Sequence, residues 1–334
     1  MKPLILTGWM MREFAEPAIA DLAVTFYDRF GWGPLPSRDE RATYLGPRTS
    51  DVAPGHHWSD FVVAKHESGG RSRTNLSLAE FCLQYETVEL YFDTRPNAQL
   101  QLIWLLDYFR SYPETVAKLK FRLVDLEMIE LDGLGNWDPP AVDVTDKELE
   151  AASAAWRAYC SVTPEACFDL LARDLSALPL LRPVLIDLLE ELPSPSTGLG
   201  ATEMRMLELI ARGYSLTPAL FHLYHLRQTR IFGEWEMGYL LDGLAFGPRP
   251  AVAGLDANLR ALSRENLKDR HTAYLRSRLS LTEFGKAIVA HKEDFSRHNP
   301  IDRWWGGTHL TNDNLWRWAP TLIKPSQQAG RGAR

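Results

Sequence analysis

Residues 3–27 read PLILTGWMMREFAEPAIADLAVTFY. Two short apolar runs, Pro3–Thr7 and Ala23–Tyr27, flank a stretch of helical character, Phe14–Leu22. Gly8 breaks the first run. Pro17 sits near the first turn of the helix, where its missing N–H is tolerated. Strand, helix and strand in so short a span form a βαβ unit, and a crossover of this kind joins parallel strands.

The reading extends outward from that unit. Arg38–Leu45 predicts a helix, Phe61–Lys65 a weak strand, Leu76–Tyr85 a helix and Val88–Phe92 a third buried strand. Gln99–Tyr112 predicts an amphipathic helix and Phe121–Leu126 the next strand. The expected fold class is an α/β N-terminal domain, a parallel sheet with helices on both faces, followed by a mainly α, winged-helix-like C-terminal half. The expected boundaries are an α/β domain over 1–132, a linker over 133–145, a helical segment over 146–192, a winged-helix-like and Trp-rich region over 201–322, and a disordered tail over 323–334. Within the C-terminal half, helices are expected at Lys147–Cys160, Pro164–Leu175, Leu178–Leu192, Thr202–Arg212 (capped by Thr), Pro218–Gln228 and Gly233–Leu244. Pro193–Gly200 (PSPSTGLG) is expected as a second linker. Pro248–Val252 and Thr272–Leu281 are expected as the strands of a wing.

The closing stretch 281–318, LTEFGKAIVAHKEDFSRHNPIDRWWGGTHLTNDNLWRW, holds four of the chain's eleven Trp residues in its last fifteen positions. Thr282 caps a helix that Asn299-Pro300 stops. Trp304-Trp305-Gly306-Gly307 forces a turn, and Trp316 and Trp318 alternate with Arg317 as on a half-buried strand. These aromatics predict either a cap over a core or a platform for a ring-shaped ligand.

A chain of 334 residues exceeds one ordinary core, so two domains are expected. Hydrophobic residues at 45% and charged residues at 24% are ordinary for a soluble globular protein. Cys82, Cys160 and Cys167 are odd in number and lack metal-ligand spacing, which predicts a reducing cytoplasm and no disulfide framework. The apolar run Leu4-Ile5-Leu6 is too short for a signal-peptide core, and no run approaches a membrane span. The net charge of −6 divides into −12 over residues 1–200 and +6 over 201–334. Such asymmetry predicts either an acidic partner or nucleic acid on the basic half, or attraction between the halves.

In open α/β sheets, ligands bind outside the C-terminal strand ends. Three loops converge there: Thr7-Gly8-Trp9, Asp28-Arg29, and Asp93-Thr94-Arg95 with Asn97. These nine residues are the expected ligand-binding set, with Arg95 or Arg29 anchoring a small anion beside a helix N-terminus; ordinary loop polarity is the alternative. Neither GxGxxG nor GxxxxGK[ST] occurs, so no cofactor is specified. His56-His57 with His66, and His222-x-x-His225, read as surface or core histidines, so no metal is expected. Arg260, Arg264, Lys268, Arg270, Arg276 and Arg278 crowd the expected wing. Of these, Arg270, Arg276 and Arg278 are the expected nucleic-acid contacts, with protein interaction as the alternative.

LILTG, FGWGPLPSRDERATYL, VELYF with NAQLQ, WRAYCSVTPEACFDLL, ALPLLRPVL, GLGATEMRMLELIARG and above all LTEFGKAIV…NPIDRWWGGTHL…WRW carry a resemblance. Together they resemble the bacterial domain-of-unknown-function 1835 family over most of residues 3–319. Members often carry Gly-Asp-Ser after the first strand, where this chain has Gly8-Trp9-Met10. They often carry Met-Gly-Asp where this chain has Phe232-Gly233-Glu234. The resemblance implies no activity or catalytic residue. The expectation is a ligand-responsive regulatory or interaction protein with a small-anion site and with DNA or protein as partner of its C-terminal half. The alternative is an enzyme acting on a phosphorylated or nucleotide-like substrate at the strand ends.

Overall fold

A computed structural model of the chain describes residues 3–8, 20, 22–63, 75–124, 140–224, 231–256 and 275–325. These separate into two compact units. The first comprises segments 1–30, 34–160 and 169–184, and the second 31–33, 161–168 and 185–334.

The first unit is built on a six-stranded sheet of β1 (Leu4–Thr7), β2 (Leu22–Thr25), β3 (Val62–Val63), β4 (Val88–Asp93), β5 (Leu119–Val124) and β6 (Val142–Asp143). Their spatial order is β3-β2-β1-β4-β5-β6. The four central strands are parallel, and β1 lies between β2 and β4. The edge strands β3 and β6 run antiparallel, so the expected purely parallel sheet is corrected to a mixed one. β1, β2 and β4 are buried at every position, which is why they read as mainly apolar runs. Strand order reverses on either side of β1, and the crevice at such a reversal is where α/β sheets hold ligands. Most of the helix expected at Phe14–Leu22 lies outside the described residues, and Leu22 itself opens β2.

Helix α1 (Arg38–Leu45) starts where the sequence places it, because Ser37 and Glu40 form a reciprocal capping box. Helix α2 is Leu78–Cys82, and α3 runs over Pro96–Phe109, three residues earlier than expected. Pro96 at the first helical position has no N–H to leave orphaned, so the helix begins at once after β4. After α4 (Pro113–Val116), helix α5 (Asp146–Tyr159) packs along α3.

In the second unit, helices α8 (Ala201–Ala211), α9 (Thr217–Tyr224) and α10 (Glu234–Phe246) are followed by the antiparallel pair β7 (Val252–Ala253) and β8 (Ser280–Leu281). Helices α6 (Glu165–Leu170) and α7 (Leu181–Glu190) precede them in the chain and are each divided between the two units, since segment 169–184 belongs to the first. An isolated bridge joins Leu216 to Arg278. The cap of α8 is Gly200 instead of Thr202, whose hydroxyl donates to Glu191 at 2.5 Å. Burial pushes the Glu191 carboxyl up to about 7, against the opposing hydrogen bonds from Thr202. Pro193–Gly200, expected as a linker, is a largely buried turn closed by Ser194 N–H to Leu199 O (2.9 Å) and Gly198 N–H to Ser194 O (3.0 Å).

Helix α11 (Glu283–Val289) carries the expected Thr282 cap but ends ten residues before Asn299. His291 takes φ of 55°, and Lys292 N–H returns to Ala287 O at 2.9 Å, a C-terminal motif that closes the helix without proline. Trp304 and Trp305 lie in β9 (Asp302–Trp305), and Gly306-Gly307 alone makes the turn to β10 (Thr308–Thr311). Trp305 and Trp316 are buried, and Trp305 Nε1 donates to Leu188 O at 2.6 Å. Arg303 pairs with Glu203 at 2.8 Å and donates to Glu191 O. The DRWW segment therefore seals the core, while Trp304 is 39% exposed and stacks on His309. A small hairpin of β11 (Arg317–Ala319) and β12 (Thr321–Ile323) ends the described chain. No helix of the described residues is long and apolar enough to cross a membrane.

Candidate functional site

In the first unit, the loop after β2 is fixed to α3 by side-chain amides. Asn97 Nδ2 donates to Asp28 O at 3.0 Å, and its Oδ1 accepts Phe30 N–H at 2.8 Å. Gln101 Nε2 donates to Asp28 O at 2.8 Å and to Phe26 O at 3.1 Å. Tyr159 of α5 donates its hydroxyl to Phe30 O at 2.9 Å. Gly8 closes on the same place: a Cβ there would lie 2.0 Å from Gln101 Oε1, so only glycine fits without displacing that amide.

The Asp28 side chain lines a cavity of about 490 Å3, walled by α1, the 51–56 loop and Trp104 of α3. This volume lies within the range of small-molecule sites. Asp28 Oδ2 is buried and has no hydrogen-bond partner among the described residues. Burial raises the Asp28 carboxyl to about 6, opposed by a hydrogen bond to its own backbone. Tyr44 of α1 shares the cavity; burial first and then the Asp28 charge raise its hydroxyl far above the ordinary tyrosine range. Trp104 is 1% exposed, and its Nε1–H meets no acceptor among the described residues.

Two devices hold the walls. Arg41 of α1 donates to Asp107 Oδ2 and to Trp104 O, each at 2.6 Å, with its guanidinium 5.6 Å from the Trp104 ring centre. Ser153 of α5 donates to the other Asp107 oxygen at 2.6 Å. The opposite wall is braced by the buried His57. Its Nδ1 accepts Ser59 N–H at 3.2 Å, which leaves Nε2 as the protonated nitrogen that donates to Gly46 O at 2.8 Å. Burial lowers the His57 pKa, in keeping with this neutral tautomer. Asp60 pairs with Arg48 and accepts Gly55 N–H at 2.8 Å.

The expected residues distribute unevenly around this geometry. Asp28, Asn97 and Gly8 come together through Gln101, and Thr7 is buried beside them, accepting Phe26 N–H at 2.8 Å. Trp9 lies outside the described residues. Arg29 and Thr94 are exposed. Arg95 turns back on Asp93, with Nε 2.7 Å from Oδ2, a second guanidinium contact to the same oxygen, and its backbone N–H on Oδ1 at 2.8 Å. Gln99 holds the Asp93 carbonyl at 2.6 Å. Of the nine, Asp28 lines the cavity. His56 also lines it, His66 and His225 lie outside the described residues, and among the described residues no trio of His, Cys, Asp or Glu is placed to hold a metal.

Arg41, Tyr44, Gln101 and Trp104 were missed by sequence reasoning. A signal existed: Asn97, Gln101, Trp104 and Tyr108 fall at spacings of four, three and four, on one face of α3. Amides and ring donors on a buried helical face need partners, and here two of them hold the Asp28 loop. In the second unit, Arg276 and Arg278 are exposed, and Arg270 with Arg260, Arg264 and Lys268 lies outside the described residues. A scan of protein-family models finds no match to this chain, and a search of curated proteins finds none either.

The folded-state pKa of Asp28 lies above the ordinary value of 3.8. Its contribution to stability is therefore fully present below that value and is lost as the pH rises through about 6. At 1.36 kcal/mol per pH unit, the full loss is about 3 kcal/mol. Asp28→Asn removes the titration. Urea unfolding should find the variant more stable than wild type by up to about 3 kcal/mol near neutral pH, with the difference closing below about pH 4. A variant that is less stable near neutrality would contradict the burial of an unpartnered carboxyl.

Proposed function

We propose that the first unit binds a small molecule in the Asp28 cavity and that Asp28 exchanges a proton with it. One observation carries this reading: Asp28 lines a cavity that can hold a ligand, and one of its carboxyl oxygens is buried beneath that wall with no partner among the described residues. Unpaired buried carboxylates are costly, and chains retain them where a ligand completes them. A carboxyl near pH 6 holds both protonation states at physiological pH, as acid–base catalysis requires. Anchoring of the Asp28 main chain by Asn97 and Gln101 supports the same reading, because a proton-transfer group works only from a fixed position. A reducing cytoplasm, expected from three cysteines that form no disulfide, belongs to this proposal. Nothing in it is taken from the resemblance to the domain-of-unknown-function 1835 family.

Native mass spectrometry after incubation with a small-molecule extract tests it. Wild type should retain an adduct that Asp28→Asn loses. Equal adducts on both proteins, or none on wild type, would contradict the reading.

A second reading, ligand-responsive regulation, draws on the second unit. The β7–β8 pair after three helices, with the bridge from Arg278 back to Leu216 between the first two of them, supports a winged-helix arrangement with Arg276 and Arg278 on its surface. On this reading DNA binding falls steeply with salt, and Arg276→Ala with Arg278→Ala flattens the slope by about two phosphate contacts. Absence of binding at low salt would retire DNA as the partner.

A further inference from the structure

The chain passes from the first unit to the second between Phe30 and Gly31, returns at Pro34, and passes again between Cys160 and Ser161. The residues on either side of Gly31 are each locked, and in different units. Phe30 is 2% exposed within the first. Its ring centre lies 5.2 Å from that of Trp104 and 5.0 Å from that of Trp156. Its N–H donates to Asn97 at 2.8 Å, and its carbonyl accepts the Tyr159 hydroxyl at 2.9 Å. Tyr159 stands one residue before Cys160, so a single hydrogen bond ties together the first-unit ends of two passages.

Trp32 is held within the second unit. Its ring stacks on Tyr239 of α10, with centres 5.8 Å apart and planes at 26°, and meets Phe232 edge-on at 5.8 Å. Gly33 runs so close to β9 that a Cβ on it would fall 2.4 Å from Trp304 Cβ. One glycine thus separates two anchors. Two residues of chain span at most about 7 Å, so with both ends packed the link holds no slack. The first anchor belongs to the loop that brings Asp28 to the cavity, and the Asn97 amide binds both Asp28 O and Phe30 N–H. A shift of the Asp28 main chain therefore moves Phe30 and, through Gly31, Trp32. Close-packed aromatic surroundings at each end pass such a shift on, because they yield little.

We propose that Gly31-Trp32-Gly33 is a coupling strap, through which occupancy of the Asp28 cavity in the first unit resets α10 in the second. This rests on the proposed binding site and names its regulation.

Hydrogen–deuterium exchange of the full chain tests it in both directions, because coupling between sites is reciprocal. Tyr159→Phe removes the bond to Phe30 O in the first unit. It should speed exchange in α10 by about threefold or more, within the worth of one hydrogen bond. Trp32→Ala, in the second unit, should speed exchange of Phe26–Phe30 by a like factor. Strand β4 should keep wild-type protection in both. If Trp32→Ala loses that protection, Trp32→Phe takes its place, with the same direction expected at smaller amplitude. Changes confined in each variant to the unit that carries the substitution would overturn the proposal, leaving a passive tether and an untouched cavity reading. In the small-molecule extract that gives the Asp28-dependent adduct, wild type should slow exchange in α10 by about threefold. A Gly-Ser pair inserted between Phe30 and Gly31 should abolish that response and keep the adduct. An adduct without any response in α10 would overturn the strap alone. Absence of the adduct removes the site reading and the role of occupancy with it.

Discussion

The first unit depends on how one loop is held. The chain leaving β2 turns through Phe26–Phe30 without regular structure, and its carbonyls would face the interior unbonded. Asn97 and Gln101, one turn apart on α3, supply three donors to those carbonyls, and Tyr159 supplies a fourth. α3 is itself anchored by its immediate start after β4, and its outer side is packed by α5. Sheet, helix and loop thus share one set of hydrogen bonds. Gly8 is the corollary, since any side chain at the end of β1 would strike the Gln101 amide.

Fixing the main chain of Asp28 leaves its side chain where water is scarce. Nothing among the described residues pairs with Oδ2, although Arg41 stands on the same wall with its charge already committed to Asp107. An arrangement that served stability alone would pair the carboxyl or replace it. On the proposed function, the cost of burying this group is the condition for its acting as an acid or base at physiological pH. The second unit shows the contrast. Glu191 is buried more deeply, yet Thr202 donates to it twice and Arg303 lies on its carbonyl; it is an internal fastener of α8 to β9.

Much of the α/β unit was legible because buried parallel strands are predominantly apolar, and LILT, LAVT and VELYFD are, with the buried Glu89 of the last paired to Arg122. The antiparallel edges escaped notice because Val62–Val63 and Val142–Asp143 are too short to show alternation. Asp28 was legible as a strand-end polar residue. The wall facing it was not, since Arg41 and Tyr44 read as an ordinary solvated helix and the 51–56 loop has no periodicity at all. Arg95 shows the converse: an arginine at a helix start suggests an anion anchor, and in the structure the aspartate two residues earlier binds its guanidinium. DRWWGGTHL stood out in sequence for its tryptophans, but its function in the fold is set by Arg303 and Trp305, which cap carbonyls and carboxylates of the preceding helices.

The central claim is that Asp28 is a desolvated, unpaired carboxyl. Its most direct test is an NMR titration of side-chain carboxyl carbons in aspartate-labelled protein, with the Asp28 signal assigned by its loss in Asp28→Asn. A midpoint near 6 is the predicted result, and a midpoint near the ordinary 3.8 would contradict the account.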